Sequence, residues 1–278
     1  MTKAAIIVSI SSDIGAALAR RWLARGWAVS GTYRTRSAAT DQLAEAGAKL
    51  VACDAGERGA VEAGCTELNR LCPAWDVLVV ASGTTEPIGP FAATDFDEWA
   101  QSIEVNFTSQ MRITHRLLPS RRTDAPTAPC VVYFAGGGTN NATTNYSAYT
   151  VSKLALIKMC ELLDAEMPGL RFAILGPGWV NTKIHHETLR AGERAGANLA
   201  RTRHKLERGD FTRMQDVLDC CDWLVASSRE EIGGRNFSVA HDPWNSAQLS
   251  EALLSDPELY KLRRAGNGLL QSRPSSSE

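Results

Sequence analysis

Strand-length apolar runs alternating with helix-length amphipathic segments constrain this chain more than any other feature. Ala4-Ala5-Ile6-Ile7-Val8-Ser9-Ile10 is continuously apolar enough for a strand buried on both faces. Ser11-Ser12-Asp13 then offers helix-capping residues, and Ile14 to Arg25 carries helical periodicity through Leu18, Trp22 and Leu23. Gly26 stops that helix, and Trp27–Tyr33 reads as a second strand. The alternation predicts further strands over 49–52, 76–81, 130–134, 171–175 and 236–239. It predicts helices over 37–46, 57–71, 95–118, 146–165 and 212–226, with short ones at 247–254 and 257–264. Such alternation means βαβ units, hence an α/β fold: a doubly wound parallel sheet of about seven strands covered by helices on both faces. No linker interrupts the pattern. Residues 1–240 are read as one domain and 241–278 as its C-terminal extension, frayed over 267–278.

Composition excludes several classes of function. A formal net charge of -1 gives no field to draw the chain to nucleic acid or to an anionic membrane. No apolar run approaches the ~20 residues of a membrane span. The N-terminus lacks a signal-peptide cleavage pattern. Seven cysteines are scattered without a Cys-x-x-Cys pair, which suggests reduced thiols and a cytoplasmic protein. His185-His186 has no acid or thiol at ligand spacing, so no metal site is expected.

The chemistry is expected in Ser147-Ala148-Tyr149-Thr150-Val151-Ser152-Lys153, at the start of a long helical segment. Tyr149 and Lys153, four residues apart, share one helix face. A phenol titrates near pH ~10, and an ammonium beside it favours the phenolate, so the spacing describes a tunable acid/base. A Tyr with a Lys one turn on also occurs on many solvated helices. A ligand would bind beyond the carboxyl ends of the strands, where Ser9-Ile10-Ser11-Ser12-Asp13-Ile14-Gly15 joins strand to helix and backbone N–H groups can hold a phosphate. An ordinary capped helix explains that stretch equally well.

Taken in register, these segments resemble the short-chain dehydrogenase/reductase family over roughly residues 3–240. Val8, Ser9, Asp13 and Gly15 stand at the four defining places of Thr-Gly-x-x-x-Gly-x-Gly, with only Gly15 kept. Asp54 matches the aspartate that contacts adenine in relatives. Val80-Ala81-Ser82-Gly83 stands for Asn-Asn-Ala-Gly, again keeping only its last glycine. Asn106 matches the helix asparagine that holds a proton-relay water, and Tyr149 and Lys153 match Tyr-x-x-x-Lys. Pro177, Gly178 and Thr182 match the segment whose threonine binds the nicotinamide amide.

The resemblance implies a Rossmann fold and a hydride passing between a nicotinamide cofactor and a carbonyl/alcohol substrate. Tyr149 would move the proton, Lys153 would lower its pKa and hold the ribose, and Asn106 would support a water chain. Relatives also imply a homodimer or homotetramer packed through the helices that carry Asn106 and Tyr149. The second strand ends in Thr32-Tyr33-Arg34-Thr35-Arg36 with no acid, so NADP is expected over NAD. Arg34 would pair with the 2′-phosphate, Ser12 or Arg36 assisting. Asp54, Asn106 and Pro177-Gly178 each have a plain reading as well: a turn cap, a bond to a neighbouring carbonyl, and a turn after a strand.

One part is missing. About thirteen residues before the tyrosine the family uses a serine to hydrogen-bond the substrate oxygen, and here that place is Gly136. Losing one such donor costs roughly 10²–10³ in rate. Either a backbone N–H or the Thr139 hydroxyl takes over, or the chain is a dinucleotide-binding protein with weak or no dehydrogenase activity and a regulatory role. Residues 183–210 fall where relatives carry a substrate lid. Their cations, among them Arg190, Arg194, Arg201 and Lys205, would suit an anionic substrate; an exposed helix of mixed charge is the plainer reading.

Overall fold

Ala4–Val8 (β1) is buried at all five positions, which is why its sequence shows no polar alternation: both of its faces meet helices. In the computed structural model, which describes residues 2–265, β1 lies between Ala28–Tyr33 (β2) and Val77–Val80 (β4). Lys49–Ala52 (β3), Cys130–Phe134 (β5), Arg171–Gly176 (β6) and Arg235–Ser238 (β7) complete a seven-stranded sheet in the order β3-β2-β1-β4-β5-β6-β7. Every pairing is parallel. The sheet grows outward from β1 in one direction and from β4 in the other, and that reversal opens a crevice at the carboxyl edge of the two strands. The doubly wound α/β fold expected from the sequence is the observed one. The expected fraying of 267–278 lies outside the described residues.

Two cores follow from the period-two alternation of the strands. Ile7, Val79 and Val132 face Asp13–Ala24 (α1) and Met214–Ala226 (α9), packing on Leu18, Trp22, Val217 and Leu224. Ile6, Leu78 and Val131 face Arg58–Leu71 (α3), Ser109–Leu117 (α5) and Ser147–Glu166 (α6), packing on Leu68, Ile113 and Leu156. Each such side chain contributes about 1.5–3 kcal/mol by burial. The remaining helices are Ala38–Glu45 (α2), Phe96–Ile103 (α4), His185–Ala191 (α7), Ala197–Arg208 (α8), Arg229–Ile232 (α10) and Ala247–Ser255 (α11).

The structure differs from the sequence reading in four places. β1 stops at Val8, because Ser9 turns the chain with φ +59°. The helix expected over 95–118 is two helices, α4 and α5, joined by a π turn over Glu104–Thr108. Residues 257–264 form turns and irregular chain, and α10 was not anticipated. The ends of α10 and α11 meet at a buried guanidinium, a contact that local periodicity does not carry. Arg235 donates to the carbonyls of Glu231 (2.8 Å), Leu253 (2.7 Å) and Asp256 (3.1 Å), closing the C-terminal ends of α10 and α11.

Candidate active site

β5 ends at Phe134, and the chain passes through Gly136-Gly137-Gly138 before α6 begins at Ser147. Lys153, in the second turn of α6, is buried and donates from Nζ to the Phe134 carbonyl at 2.9 Å. That bond pins the start of α6 to the carboxyl end of β5. The Tyr149 hydroxyl stands directly over Gly136, where a β-carbon would lie 2.5 Å from Oη. Gly136 therefore makes room for the tyrosine, and a serine there is incompatible with this pose. Nζ of Lys153 lies 5.7 Å from the Tyr149 ring centre.

Burial decides the electrostatics of the pair. It pushes the Tyr149 phenol up to about 12, the Glu187 carboxylate adding in the same direction. It pulls the Lys153 ammonium down to about 8. The lowering of the phenol expected from its lysine neighbour is not observed, because both groups lose more by leaving water than they gain from each other.

The π turn explains Asn106. Its extra residue turns this side chain inward, where it is fully buried. Asn106 donates to the Thr84 carbonyl (2.9 Å) and Ser102 Oγ (3.1 Å) and accepts from the Thr84 N–H (3.0 Å). Its side chain thus clamps the loop after β4, the plainer of its two readings. Gly83 lies at the meeting point: a β-carbon there would be 3.2 Å from Asn106 Oδ1 and 3.7 Å from Lys153 Nζ.

On the other side of the crevice, Ser9 adopts the left-handed conformation that its glycine counterpart reaches freely, steadied by its N–H on Thr32 Oγ1 at 2.9 Å. Gly15 is irreplaceable, since a β-carbon would fall 2.5 Å from the Ser9 carbonyl. Ser12 caps α1 by accepting from the Gly15 N–H at 3.1 Å. Arg36 is held by Asp41 at 2.7 Å. Arg34 is exposed, lines the cleft and has no partner among the described residues. Asp13 accepts from the Lys183 N–H at 2.7 Å, tying α1 to the segment after β6. Asp54 accepts from the Gly56 N–H at 2.9 Å, a turn cap at the cleft wall.

A continuous cleft of about 2810 Å³ joins these parts along the carboxyl edge of the sheet. Asp54 and Arg34 lie along it with Ser9, Ser11, Ser12, Asp13 and Ile14. Ala81, Gly83, Thr139, Tyr149, Lys153, Pro177, Gly178 and Thr182 also line it, whereas Gly15 and Asn106 are not among its lining. Gly178 has φ +75° and packs against Thr212, and Thr182 Oγ1 reaches the Val180 carbonyl at 3.4 Å. No group of three or more potential metal ligands occurs among the described residues.

Residues 8–241 match the family model described as Enoyl-(Acyl carrier protein) reductase. The chain belongs to the short-chain dehydrogenase/reductase family. It is 26% identical to a short chain dehydrogenase of Aspergillus terreus over 193 residues, 69% of this chain and 40% of that protein. It is 21% identical to the D-threitol dehydrogenase of Mycolicibacterium smegmatis over 85% of this chain and 91% of that one. The match thus spans less than half of the Aspergillus relative. A short chain dehydrogenase/reductase structure from Saccharomyces cerevisiae superposes with a TM-score of 0.74 at 20% identity, covering 90% of this chain and 98% of that chain. A structure of a variant actinorhodin polyketide ketoreductase with NADPH does so with 0.74 at 21%, covering 86% and 95%.

In this short-chain dehydrogenase/reductase the sequence reading missed two features. Trp179 is stacked between His185 (3.6 Å) and Phe211 (5.9 Å), joining the segment after β6 to the one before α9. Glu187, one of the acids in the mixed charge of residues 183–210, lines the cleft and accepts from Thr84 and Thr85. Its place three residues before Arg190 carries no sequence signal, since the partners lie 102 and 103 residues away.

Proposed function

We propose that this chain is an oxidoreductase that transfers a hydride between NADP(H) and a carbonyl/alcohol substrate, with Tyr149 as the acid/base. The observation that carries the reading is the Tyr149 hydroxyl poised over Gly136 at the carboxyl end of β5, with Lys153 pinned to the Phe134 carbonyl beside it. The cleft suits a dinucleotide. The Ser9–Gly15 turn leaves no space for a β-carbon at its glycine and sets α1's N-terminus against the cleft, where it would hold a pyrophosphate. Arg34, unpartnered among the described residues and without an acid nearby on its strand end, would take a 2′-phosphate in preference to the hydroxyl of NAD. Pro177, Gly178 and Thr182 would face the nicotinamide, which supplies or accepts the hydride when bound. Tyr149 then gives its proton to the carbonyl oxygen, or takes it from the alcohol. Lys153 keeps its positive charge below pH about 8 and anchors the ribose. Thr139 or a backbone N–H of the glycine loop would donate to the substrate oxygen in place of the usual serine.

Other parts of the reading extend beyond the centre. Arg194 and Arg201 line the outer cleft with no acidic partner among the described residues and would accept an anionic group, whereas Arg190 and Lys205 are already paired with Glu86 and Asp210. Exposed Phe96 on α4 and Val151 on α6 support a homodimer or homotetramer through these helices. Free thiols at all seven cysteines suit a cytoplasmic setting, and no described helix is long and apolar enough to cross a membrane. The missing side chain at Gly136 and the raised phenol favour a second reading, a dinucleotide-binding protein with little turnover.

Cofactor titration tests the first half of the proposal. NADPH should bind more tightly than NADH, and Arg34→Asp should weaken NADPH by about 10- to 100-fold while leaving NADH nearly unchanged. Tighter binding of NADH by the wild type would refute the Arg34 assignment. Consumption of bound NADPH with a panel of carbonyl compounds separates the enzyme from the binder.

A further inference from the structure

α7 brings one carboxylate, Glu187, into the substrate end of the cleft. Its Oε2 accepts from the Thr85 N–H (2.6 Å), the Thr85 hydroxyl (2.6 Å) and the Thr84 hydroxyl (3.2 Å). Thr84 is itself clamped on both sides of its peptide by buried Asn106, so the carboxylate is fixed through a chain of bonds that ends in the core. Oε1 receives no donor among the described residues and is open to the cleft that Glu187 lines. After burial, the charge that raises the Tyr149 phenol is this carboxylate, which puts it within electrostatic reach of the reacting position.

Two neighbouring polar groups are committed elsewhere. Lys153 donates to the Phe134 carbonyl (2.9 Å), and Tyr146 shares its hydroxyl with Thr188 (2.8 Å). Gly136, against which Tyr149 rests, offers no side chain. A carboxylate oxygen accepts and cannot donate. Glu187 thus brings to the cleft that Tyr149 lines a carboxylate fixed by three donors, and Gly136 leaves bare backbone where relatives carry a serine.

We infer that Glu187 reads a hydroxyl or ammonium donor on the carbon next to the reacting carbonyl, which makes the substrate class an α-hydroxy or α-amino ketone and its reduced partner. The inference rests on the proposed oxidoreductase reading. In the reduction the carbonyl carbon gains the hydride of NADPH and its oxygen gains the Tyr149 proton, while the neighbouring donor is unchanged and serves only for recognition. A simple ketone offers Oε1 no donor, and a site that hydrogen-bonds a substrate donor discriminates against the analogue that lacks it.

Glu187→Gln separates this role from that of holding the lid. The three donors from Thr84 and Thr85 capture the amide oxygen, so the amide NH₂ turns outward where Oε1 had been. The lid stays attached, and the acceptor becomes a donor. The probes are 2-hydroxycyclohexanone and cyclohexanone. Steady-state kcat/KM with NADPH is one readout, and binding of each ketone by saturation-transfer NMR is the other. The wild type should favour the hydroxy ketone by about 10- to 100-fold in both. In Glu187→Gln, with an unchanged circular dichroism spectrum, the ratio should fall to within about threefold. Equal handling of the two ketones by the wild type, or an undiminished preference in Glu187→Gln, overturns the inference. If neither ketone is reduced but the hydroxy ketone still binds preferentially and loses that preference in Glu187→Gln, the oxidoreductase reading fails and the recognition role stands.

Discussion

Tyr149→Phe should lower kcat by about 10²–10⁴-fold while NADPH affinity changes by less than about twofold. Phenylalanine keeps the ring that packs over Gly136, so the fold and the cleft persist and only the transferable proton is lost. Steady-state kinetics and a fluorescence titration on the same preparation read the two quantities. The pH profile of the wild type follows from the same pair. Tyr149, pushed up to about 12, stays protonated through neutral pH, whereas Lys153, pulled down to about 8, loses its charge first as pH rises. Below pH about 8 the ammonium proposed to anchor the ribose is present, and above it cofactor affinity and kcat/KM should fall together. A Tyr149→Phe protein with wild-type turnover would remove the tyrosine from the mechanism.

Gly136→Ser should damage the enzyme even though it supplies the hydroxyl that relatives carry. Its β-carbon would fall 2.5 Å from Tyr149 Oη, 2.6 Å from Cε1 and 2.7 Å from Cζ, all inside any tolerated contact. The tyrosine must move, and a displacement of about 1 Å at a reacting group costs on the order of 10² in rate. Gly136→Ala should lose nearly as much, because the β-carbon and not the hydroxyl does the harm. Measured side by side, the two variants separate sterics from hydrogen bonding. A gain of activity in Gly136→Ser, with loss in Gly136→Ala, would show that the phenol does not occupy this position during turnover.

The parallel sheet of about seven strands, its helix-covered faces and the placing of a ligand beyond the carboxyl ends of the strands were legible because they depend on local periodicity and on the chirality of parallel connections. β5 and α6 read cleanly from residues 130–165, and they carry Tyr149 and Lys153 into place. What the sequence hid depends on contacts between distant segments. The π turn at Glu104–Thr108 looks like ordinary helix in one dimension, yet it decides that Asn106 faces inward onto Thr84. Gly136 reads as a lost donor until the tyrosine is seen resting against it. Lys153 was expected to tune Tyr149, but spacing carries no information on how far both groups are withdrawn from water. Nor does the sequence show that Ser12 caps α1 or that Arg36 pairs with Asp41.

The most direct test of the account follows the hydrogen itself. The enzyme is incubated with NADPH bearing deuterium at both C4 positions and with 2-hydroxycyclohexanone or another reducible ketone, and the product alcohol is examined by NMR. One deuterium on the new carbinol carbon, abolished in Tyr149→Phe, is the predicted result. Product formed without deuterium at that carbon, or tight NADPH binding with no transfer to any carbonyl compound, would contradict it.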